Sequence, residues 1–341
     1  MDKLIKEIEK NWDLLQSSDF LQSEIDGSNS IEYFENHFAE FADADYAISH
    51  TNASTAILTA LQALNIKSDD EVLVPEFTWP GSIYPVILLG AKPVMISSEK
   101  ISTNIDPEKI EEKINSKTKA IIAAHLFGYP CNIKKIMKIA AKNDLKVIFD
   151  AAQSLTAIWG KKRTGAFGDF TVFSFGYGKK LNIGGGGMLV CNNKRYFEKA
   201  ISLSQHPLRC HLQITDTKLR RNAAGLNLNC RMNPTTSILG IIGLRKLINH
   251  NQDICSPEFY HLFKHFEKED LSDIIHRFEL EAIPSGDNFI VFPQNITQLY
   301  KIKTMKFITK KVNLVSIKNI LGENGICCKA VYSVKIKNQE S

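Results

Sequence analysis

The chain has 341 residues, 44% of them hydrophobic, which is enough for one large domain and a smaller one. The net charge of +5 is a mild excess, and no nucleic-acid-binding motif accompanies it. No apolar run reaches the roughly 18 residues of a membrane-spanning helix, no signal-peptide core is visible, and the seven scattered cysteines show no metal-binding spacing. These observations predict a cytoplasmic protein with reduced thiols.

Apolar runs and amphipathic stretches alternate along the chain between about residues 54 and 190. In chain order they predict a helix at 55–64, a strand at 71–75, a helix at 82–89, a strand at 93–97, a helix beginning at Asp106, a strand at 119–124, a helix at 133–143, strands at 145–149, 170–175 and 187–191, and a helix at 236–249. This alternation predicts an α/β fold with a mainly parallel sheet covered by helices on both faces.

The loss of clear periodicity after about residue 250 predicts a domain boundary. Residues 1–250 are assigned to a large ligand-binding domain, and residues 251–341 to a smaller α+β domain with strands at 288–292 and 327–332. The N-terminal helices within 1–45 are expected to pack on the smaller domain. In the large domain, ligands are expected outside the carboxyl ends of the parallel strands.

An acid and a lysine follow two of the predicted strands. Asp150 ends one apolar strand, and Ser174 and Lys179 end and follow the next. A lone acid at a strand end is usually structural, but the combination is what a pyridoxal phosphate (PLP) enzyme needs. The acid holds the pyridine nitrogen protonated, the lysine forms the Schiff base, and the serine helps hold the phosphate. The amide of Gln153, one short turn after Asp150, is placed to bond the ring hydroxyl.

Lys179 and Lys180 both qualify for the Schiff-base position. They lie between Gly176 and Gly178 on one side and the four glycines at 184–187 on the other, and such a turn lets the backbone approach a ligand closely. The alternative is that the glycines only form a hairpin and that both lysines are solvated.

Small and hydroxyl residues at 51–55 precede the first predicted helix of the alternating region. The backbone N–H groups of Ala53 and Ser54 at this helix N-terminus predict a phosphate site, and ordinary helix capping is the alternative. Trp79 follows the strand at 71–75. It either packs in the core or stacks on the pyridine ring.

Taken together, nine segments resemble the DegT/DnrJ/EryC1/StrS family of sugar aminotransferases over roughly residues 30–250. The segments are 52–55 (Asn-Ala-Ser-Thr), 75–79 (Pro-Glu-Phe-Thr-Trp), 89–93 (Leu-Gly-Ala-Lys-Pro), 104–107 (Asn-Ile-Asp-Pro), 125–128 (His-Leu-Phe-Gly), 150–153 (Asp-Ala-Ala-Gln), 165–169 (Gly-Ala-Phe-Gly-Asp), 173–175 with Lys179, and 229–232 (Asn-Cys-Arg-Met). The resemblance implies the aspartate aminotransferase fold (fold type I), with a seven-stranded sheet.

The resemblance also implies roles for single residues. Lys179 is similar to the family's Schiff-base lysine, with Lys180 one place beyond it. Asp150 resembles the acid that pairs with the pyridine nitrogen, Gln153 the residue near the ring hydroxyl, and Trp79 the aromatic that stacks on the ring.

Four further residues resemble the family's phosphate contacts. Ala53, Ser54 and Ser174 match contacts from the same chain, and Asn229 matches an asparagine that reaches the phosphate from the partner subunit. The resemblance therefore implies a homodimer with shared active sites.

The activity implied is PLP-dependent transfer of an amino group from an amino acid, L-glutamate above all, to a keto sugar. The sugar is expected to be nucleotide-linked, and the product to serve cell-surface polysaccharide or aminosugar biosynthesis. Some family members dehydrate sugars and carry histidine in place of the lysine, and Lys179 argues against that activity.

Three departures from the family pattern motivate an alternative. The loop at 52–54 reads Asn-Ala-Ser where the family has Ser-Gly-Thr, the segment 184–187 lacks the family's glutamate, and the small domain is expected to be shortened. The alternative is a catalytically weak or inactive member that binds PLP or a sugar nucleotide in a regulatory role.

Overall fold

The computed structural model describes residues 2–99, 102, 104–126, 128–223 and 228–249, together with short strands between residues 281 and 336. The α-helices are α1 (Asp2–Glu9), α2 (Trp12–Leu15), α3 (Ser18–Asp26), α4 (Asn29–Phe41), α5 (Ala53–Ala63), α6 (Tyr84–Leu88), α7 (Ile133–Lys142), α8 (Lys194–Ser204), α9 (Pro207–Gln213), α10 (Thr217–Asn222) and α11 (Pro234–Asn249). Within these described ranges, none of the helices combines the length and the apolarity needed to cross a bilayer.

The strands before residue 250 are β1 (Tyr46–His50), β2 (Glu71–Pro75), β3 (Lys92–Ile96), β4 (Thr118–Ala124), β5 (Lys146–Asp150), β6 (Ile158–Trp159), β7 (Lys162–Arg163), β8 (Phe170–Ser174) and β9 (Gly187–Cys191). The later strands are β10 (Glu281–Ser285), β11 (Asn288–Phe292), β12 (Val312–Asn313), β13 (Asn319–Leu321), β14 (Cys327–Lys329) and β15 (Lys335–Ile336). The later strands form two-stranded antiparallel pairs: β10 with β11, β12 with β15, and β13 with β14.

One sheet of seven strands organises the large domain, in the order β1-β9-β8-β5-β4-β2-β3. Strand β9 is antiparallel to both of its neighbours, β1 and β8, and the other pairs of this sheet are parallel. Strands β2 and β9 are buried along their whole length, which explains why they read as continuous apolar runs. The predicted mainly parallel seven-stranded sheet is confirmed.

Helices cover both faces of this sheet. On one face α5 and α8 pack over residues that include Ile148 and Leu189. On the other face α4 and α11 pack over Phe173 and Val190, and α7 packs over Phe149. The predicted sandwich of helices around the sheet is therefore confirmed.

Most predicted elements of the large domain are confirmed to within two residues, but the helix at 82–89 is wrong in its first turn. Residues Pro80–Ser82 form a 3-10 turn, and α6 begins only at Tyr84. Pro85 is the reason, because a proline inside a helix lacks the N–H donor and clashes with the carbonyl four residues earlier. At Asp106, likewise, the side chain caps a 3-10 turn, Pro107–Lys109, rather than an α-helix.

The helix α4 lies against β1 and α11. Phe34 and Phe38 are fully buried and contact Phe173 and Phe175. A Cβ on Gly240 of α11 would lie 2.4 Å from the Phe34 ring, so this glycine lets the two helices approach closely. How the N-terminal helices relate to residues 251–341, and where the domain boundary falls, stay predictions.

A buried ion pair joins α4 to α9. Glu35 and Arg209 are 4% and 1% exposed, and Arg209 Nη2 donates to Glu35 Oε2 at 2.5 Å. Glu35 Oε1 also accepts from the Ser49 N–H at 2.7 Å, and the guanidinium donates to Gln205 and Gln213. The network therefore connects β1, through Ser49, to helices α4 and α9. The end of β1 leads into the predicted phosphate loop.

Two buried histidines make the stability of the fold depend on pH. Burial lowers the pKa of His50 to about 4 and that of His125 to about 3. Between these values and about pH 6.5, where an unfolded histidine titrates, the unfolded chain binds more protons than the folded one. We therefore expect the free energy of unfolding to fall, by an amount on the order of a few kcal/mol, as the pH drops from about 7 to 4.5.

Urea denaturation at pH 7, 6 and 5 measures this effect. His50→Gln should show a shallower decline over the same window, because it no longer gains a proton on unfolding. The exposed His211→Gln is the matched control and should keep the wild-type slope. Equal slopes in the wild type and His50→Gln would contradict the lowered pKa of His50.

Candidate active site

The predicted site residues follow strands that end at one edge of the sheet. Strands β1, β2, β5 and β8 all end there, and β9 begins there, because β9 alone in this sheet runs in the opposite direction. The residues placed at or after these ends are Ala53, Ser54, Trp79, Asp150, Gln153, Ser174 and Lys179. The topology therefore brings together, at one edge, residues that are far apart in the chain.

The N-terminus of α5 opens onto this edge. Asn52 is the N-cap residue, and its Oδ1 accepts a hydrogen bond from the Thr55 N–H at 2.9 Å. The N–H groups of Ala53 and Ser54 belong to the first turn, which has no intrahelical acceptors, and the helix dipole adds partial positive charge there. Capping and anion binding are thus compatible, since the Asn52 cap bonds the N–H of Thr55 and not those of Ala53 and Ser54.

Ser174 meets the start of α5 through a close backbone approach. It lies opposite Gly187, the first residue of β9. A Cβ on Gly187 would lie 2.5 Å from the carbonyl carbon of Asn52 and 2.6 Å from the nitrogen of Ala53. Only a glycine fits between strand and helix here. Ala53, Ser54 and Ser174 are therefore brought together around Gly187, and these three residues are called here the anion cradle.

Trp79 stands beside the anion cradle. The residue is 49% exposed, so about half of it lies outside the core. A Cβ on Gly81 would lie 2.6 Å from Ser54 Oγ and 2.9 Å from Trp79 Cδ1, so Gly81 sits between these two side chains. An exposed indole face next to the cradle is suited to stacking on a planar ring.

Asp150 places a nearly buried carboxylate at the same edge. Its Oδ2 accepts from Ser82 Oγ at 2.5 Å, and its Oδ1 accepts from the Ala152 N–H at 3.0 Å. Its backbone carbonyl accepts from the His125 N–H at 2.9 Å, which fixes the strand end. Ser82 and the Ala152 N–H are uncharged donors, and a carboxylate so held is suited to a charge-assisted hydrogen bond with a cationic N–H.

The two candidate lysines lie side by side after β8. Lys180 Nζ donates to Thr156 Oγ1 at 3.1 Å, in the segment that follows Asp150 and Gln153. Lys179 is half-buried, and its backbone N–H donates to the Gly176 carbonyl at 3.2 Å in the turn after β8. The assignment of the covalent role to Lys179 follows the family pattern and stays a prediction.

Asn229 lies outside this group of strand ends. Its side chain is exposed, with Oδ1 accepting from the Arg231 N–H at 3.3 Å. The neighbouring Cys230 carbonyl accepts from the Thr51 N–H at 2.8 Å, so the segment is tied to the loop before α5 of its own chain. Its contact with a phosphate across a subunit interface stays a prediction.

Sequence reasoning missed Ser82, which contacts Asp150, and Thr78, which contacts Ser82. Thr78 Oγ1 lies 3.0 Å from Ser82 Oγ, which in turn bonds Asp150. Nothing in the sequence marks Ser82, because a serine at a turn is ordinary and its partner is 68 residues away. The nearest available signal is that Ser82 follows Trp79 by three residues, just after the family segment 75–79.

These groups fit PLP by their chemistry. The anion cradle supplies hydroxyls and helix N–H groups for a phosphate, Asp150 supplies a buried carboxylate for a ring nitrogen, and Trp79 supplies a flat exposed face. Lys179 supplies the amine. A mainly parallel sheet with these groups at its carboxyl edge is suited to an enzyme of the PLP-dependent class.

The chain belongs to the DegT/DnrJ/EryC1/StrS aminotransferase family, whose profile matches residues 7–339. Proteins of this family use PLP as their cofactor. The resemblance seen in the sequence is thereby confirmed.

Individual relatives match shorter parts of the chain than the family profile does. The GDP-perosamine synthase of Escherichia coli O157:H7 is 35% identical over 219 residues, which are 64% of this chain and 57% of that protein. The dTDP-3-amino-3,6-dideoxy-alpha-D-galactopyranose transaminase of Aneurinibacillus thermoaerophilus is 43% identical over 145 residues, which are 42% of this chain and 40% of that protein. The chain spans about half the length of the curated relatives it matches. The crystal structure of an aminotransferase from Psychrobacter cryohalolentis is similar with a TM-score of 0.62 and 26% identity, over 75% of this chain and 76% of that one.

Two neighbouring glycines give a matched test of the anion cradle. Gly187→Ala should lower the free energy of unfolding by about 1–3 kcal/mol and weaken PLP binding, because the new methyl group overlaps the backbone of Asn52 and Ala53. At Gly185 no described atom lies within 4 Å of the Cβ position, so Gly185→Ala should change stability by less than about 0.5 kcal/mol. Urea denaturation and PLP titration measure both effects, and equal behaviour of the two variants would contradict the close approach.

Proposed function

We propose that this protein is a PLP-dependent aminotransferase that moves an amino group from L-glutamate to the keto group of a nucleotide-linked sugar. The observation that carries the proposal is the placement of Asp150, the anion cradle and Lys179 at one edge of the sheet. The net reaction balances without an oxidant, since the amino acid leaves as a keto acid and the keto sugar leaves as an amino sugar. The product would serve cell-surface polysaccharide or aminosugar biosynthesis.

Each part of the cofactor has residues suited to hold it. The anion cradle would bind the phosphate, Asp150 would keep the ring nitrogen protonated, the Gln153 amide would bond the ring hydroxyl, and Trp79 would cover one face of the ring. The chemistry that PLP supplies when bound is electron withdrawal from the substrate carbon and temporary carriage of the amino group.

Lys179 has two tasks in this proposal. Its Nζ would attach the cofactor covalently, and once released it would take a proton from the donor's carbon and return one to the acceptor. The half-buried position of Lys179 in a glycine-rich turn supports both tasks, because the turn lets the side chain move while its backbone stays tied to Gly176.

The nucleotide-linked nature of the acceptor rests on two relatives and on charge. Their names, GDP-perosamine synthase and a dTDP-sugar transaminase, both carry a nucleoside diphosphate prefix. The net charge of +5 on this chain favours the approach of such an anion.

We also propose a homodimer that works in the cytoplasm. The exposed side chain of Asn229 is free to face a second subunit's anion cradle, as the family pattern implies. Four buried cysteines, Cys131, Cys191, Cys210 and Cys230, are unbridged, which suits a reducing compartment.

The absorption spectrum of the purified protein with PLP, before and after adding L-glutamate, tests the proposal. We expect a visible band of covalently bound PLP that disappears with L-glutamate and returns when the keto-sugar nucleotide is added. D-glutamate is the matched control and should leave the band in place.

Two other outcomes separate the alternatives. A stable band that no amino donor changes would favour the alternative hypothesis, in which the protein binds PLP or a sugar nucleotide in a regulatory role without turnover. Absence of any band at saturating PLP would contradict the proposed function outright.

A further inference from the structure

We propose that Thr78 and Ser82 form a hydroxyl pair that positions the Asp150 carboxylate for the ring nitrogen of the cofactor. Both would be positioning residues, since they act through Asp150 and not on the cofactor itself. The inference rests on the proposed function, because it assumes that PLP occupies the site.

The geometry is a continuous chain of three buried polar side chains. Thr78, Ser82 and Asp150 are 4%, 1% and 7% exposed. Thr78 Oγ1 lies 3.0 Å from Ser82 Oγ, and Ser82 Oγ lies 2.5 Å from Asp150 Oδ2. The second distance is at the short end for a hydroxyl on a carboxylate, as charge-assisted bonds are.

The chemistry of the three groups fixes the direction of the protons. An ionised carboxylate only accepts, so Ser82 must donate its one proton to Asp150. Ser82 Oγ is then an acceptor toward Thr78, which donates its own proton. Each bond polarises the next in the same direction, so the pair stabilises the negative charge on Asp150 more than Ser82 alone would.

The two oxygens of Asp150 are held separately. Oδ1 accepts from the Ala152 N–H at 3.0 Å and Oδ2 accepts from Ser82, so the plane of the carboxylate is defined at both ends. Each oxygen has room for about two hydrogen bonds, so this arrangement keeps acceptor capacity for a ligand. A rigid, correctly turned carboxylate is what a single N–H bond to a ring requires.

The same short segment also carries the aromatic residue. Ser82 ends the 3-10 turn Pro80–Ser82, and its N–H donates to the Trp79 carbonyl at 3.0 Å. One turn thus presents both the group that would stack on the ring and the group that orients the ring's carboxylate partner.

The test compares PLP with the analogue in which carbon replaces the ring nitrogen. Ser82→Ala should weaken PLP binding roughly ten-fold or more, the effect of losing one hydrogen bond to a charged group. The same variant should bind the carbon analogue as the wild type does, because that ligand has no ring N–H for Asp150. Thr78→Val should weaken PLP binding in the same direction but less, and Thr78→Ser, which keeps the hydroxyl, should restore it.

Thermal unfolding of each variant without ligand checks that the fold is kept. Equal weakening for PLP and for the carbon analogue would show a merely structural role and overturn the inference, as would unchanged PLP binding in Ser82→Ala. If the wild type itself binds no PLP, the proposed function fails and takes the inference with it. If the wild type binds PLP and only the Ser82 effect is missing, the inference alone fails.

Discussion

Replacing Lys179 with alanine is expected to abolish the visible absorption band of covalently bound PLP and to reduce amino transfer at least about 100-fold, the lower range for loss of a positioned general base. The anion cradle and Asp150 are unchanged in this variant, so PLP should still bind, but without a covalent link to the protein. Spectra of the PLP-saturated protein, followed by single-turnover rates with L-glutamate, measure both parts of the prediction.

The adjacent lysine is the matched control. Lys180 Nζ donates a hydrogen bond to Thr156 Oγ1, so Lys180→Ala should keep the band and lower the free energy of unfolding by about 1 kcal/mol through the loss of that bond. A band that survives in Lys179→Ala and vanishes in Lys180→Ala would reverse the assignment of the two lysines.

Replacing Arg209 with methionine is expected to lower the free energy of unfolding by about 3–5 kcal/mol, the cost of leaving a buried charge without its partner. Glu35 is 4% exposed. Without the guanidinium, the N–H and hydroxyl of Ser49 still donate to it, but they carry no positive charge. Methionine keeps most of the volume, so the loss reports charge pairing more than a cavity. Urea denaturation followed by circular dichroism measures it.

Two controls separate burial from charge. Lys142 and Glu111 form an ion pair at 2.7 Å whose side chains are 68% and 50% exposed, so Lys142→Met should cost less than about 1 kcal/mol. The double variant Glu35→Leu with Arg209→Met should be less destabilised than the sum of the single variants, because no buried charge is then left alone. A loss in Arg209→Met as small as that in Lys142→Met would refute the prediction.

Much of the large domain was predictable because its signals are local. The strands at 71–75 and 187–191 are buried on both faces and therefore read as unbroken apolar runs. The helix at 133–143 has its apolar residues on one side, which matches its place against the sheet. Strand β1 was missed, since its five residues, Tyr46–His50, are mixed in polarity and pair with β9, which is distant in the chain.

The candidate site was predictable only in part, for a related reason. Asp150, Ser174 and Lys179 could be selected from the sequence because each directly ends or follows an apolar strand. The preference for Lys179 over Lys180 rests on the family pattern alone, since both lysines follow the same strand.

The sequence by itself therefore determined the class of fold, the family, and the order of acid, serine and lysine along the chain, because periodicity and motif spacing are local properties. Only the tertiary structure decided what surrounds those residues. Ser82 reaches Asp150 over 68 residues, and Arg209 reaches Glu35 over 174. Such contacts arise when the sheet and its helices pack together, and hydrogen bonds between distant side chains leave no periodic trace in the chain.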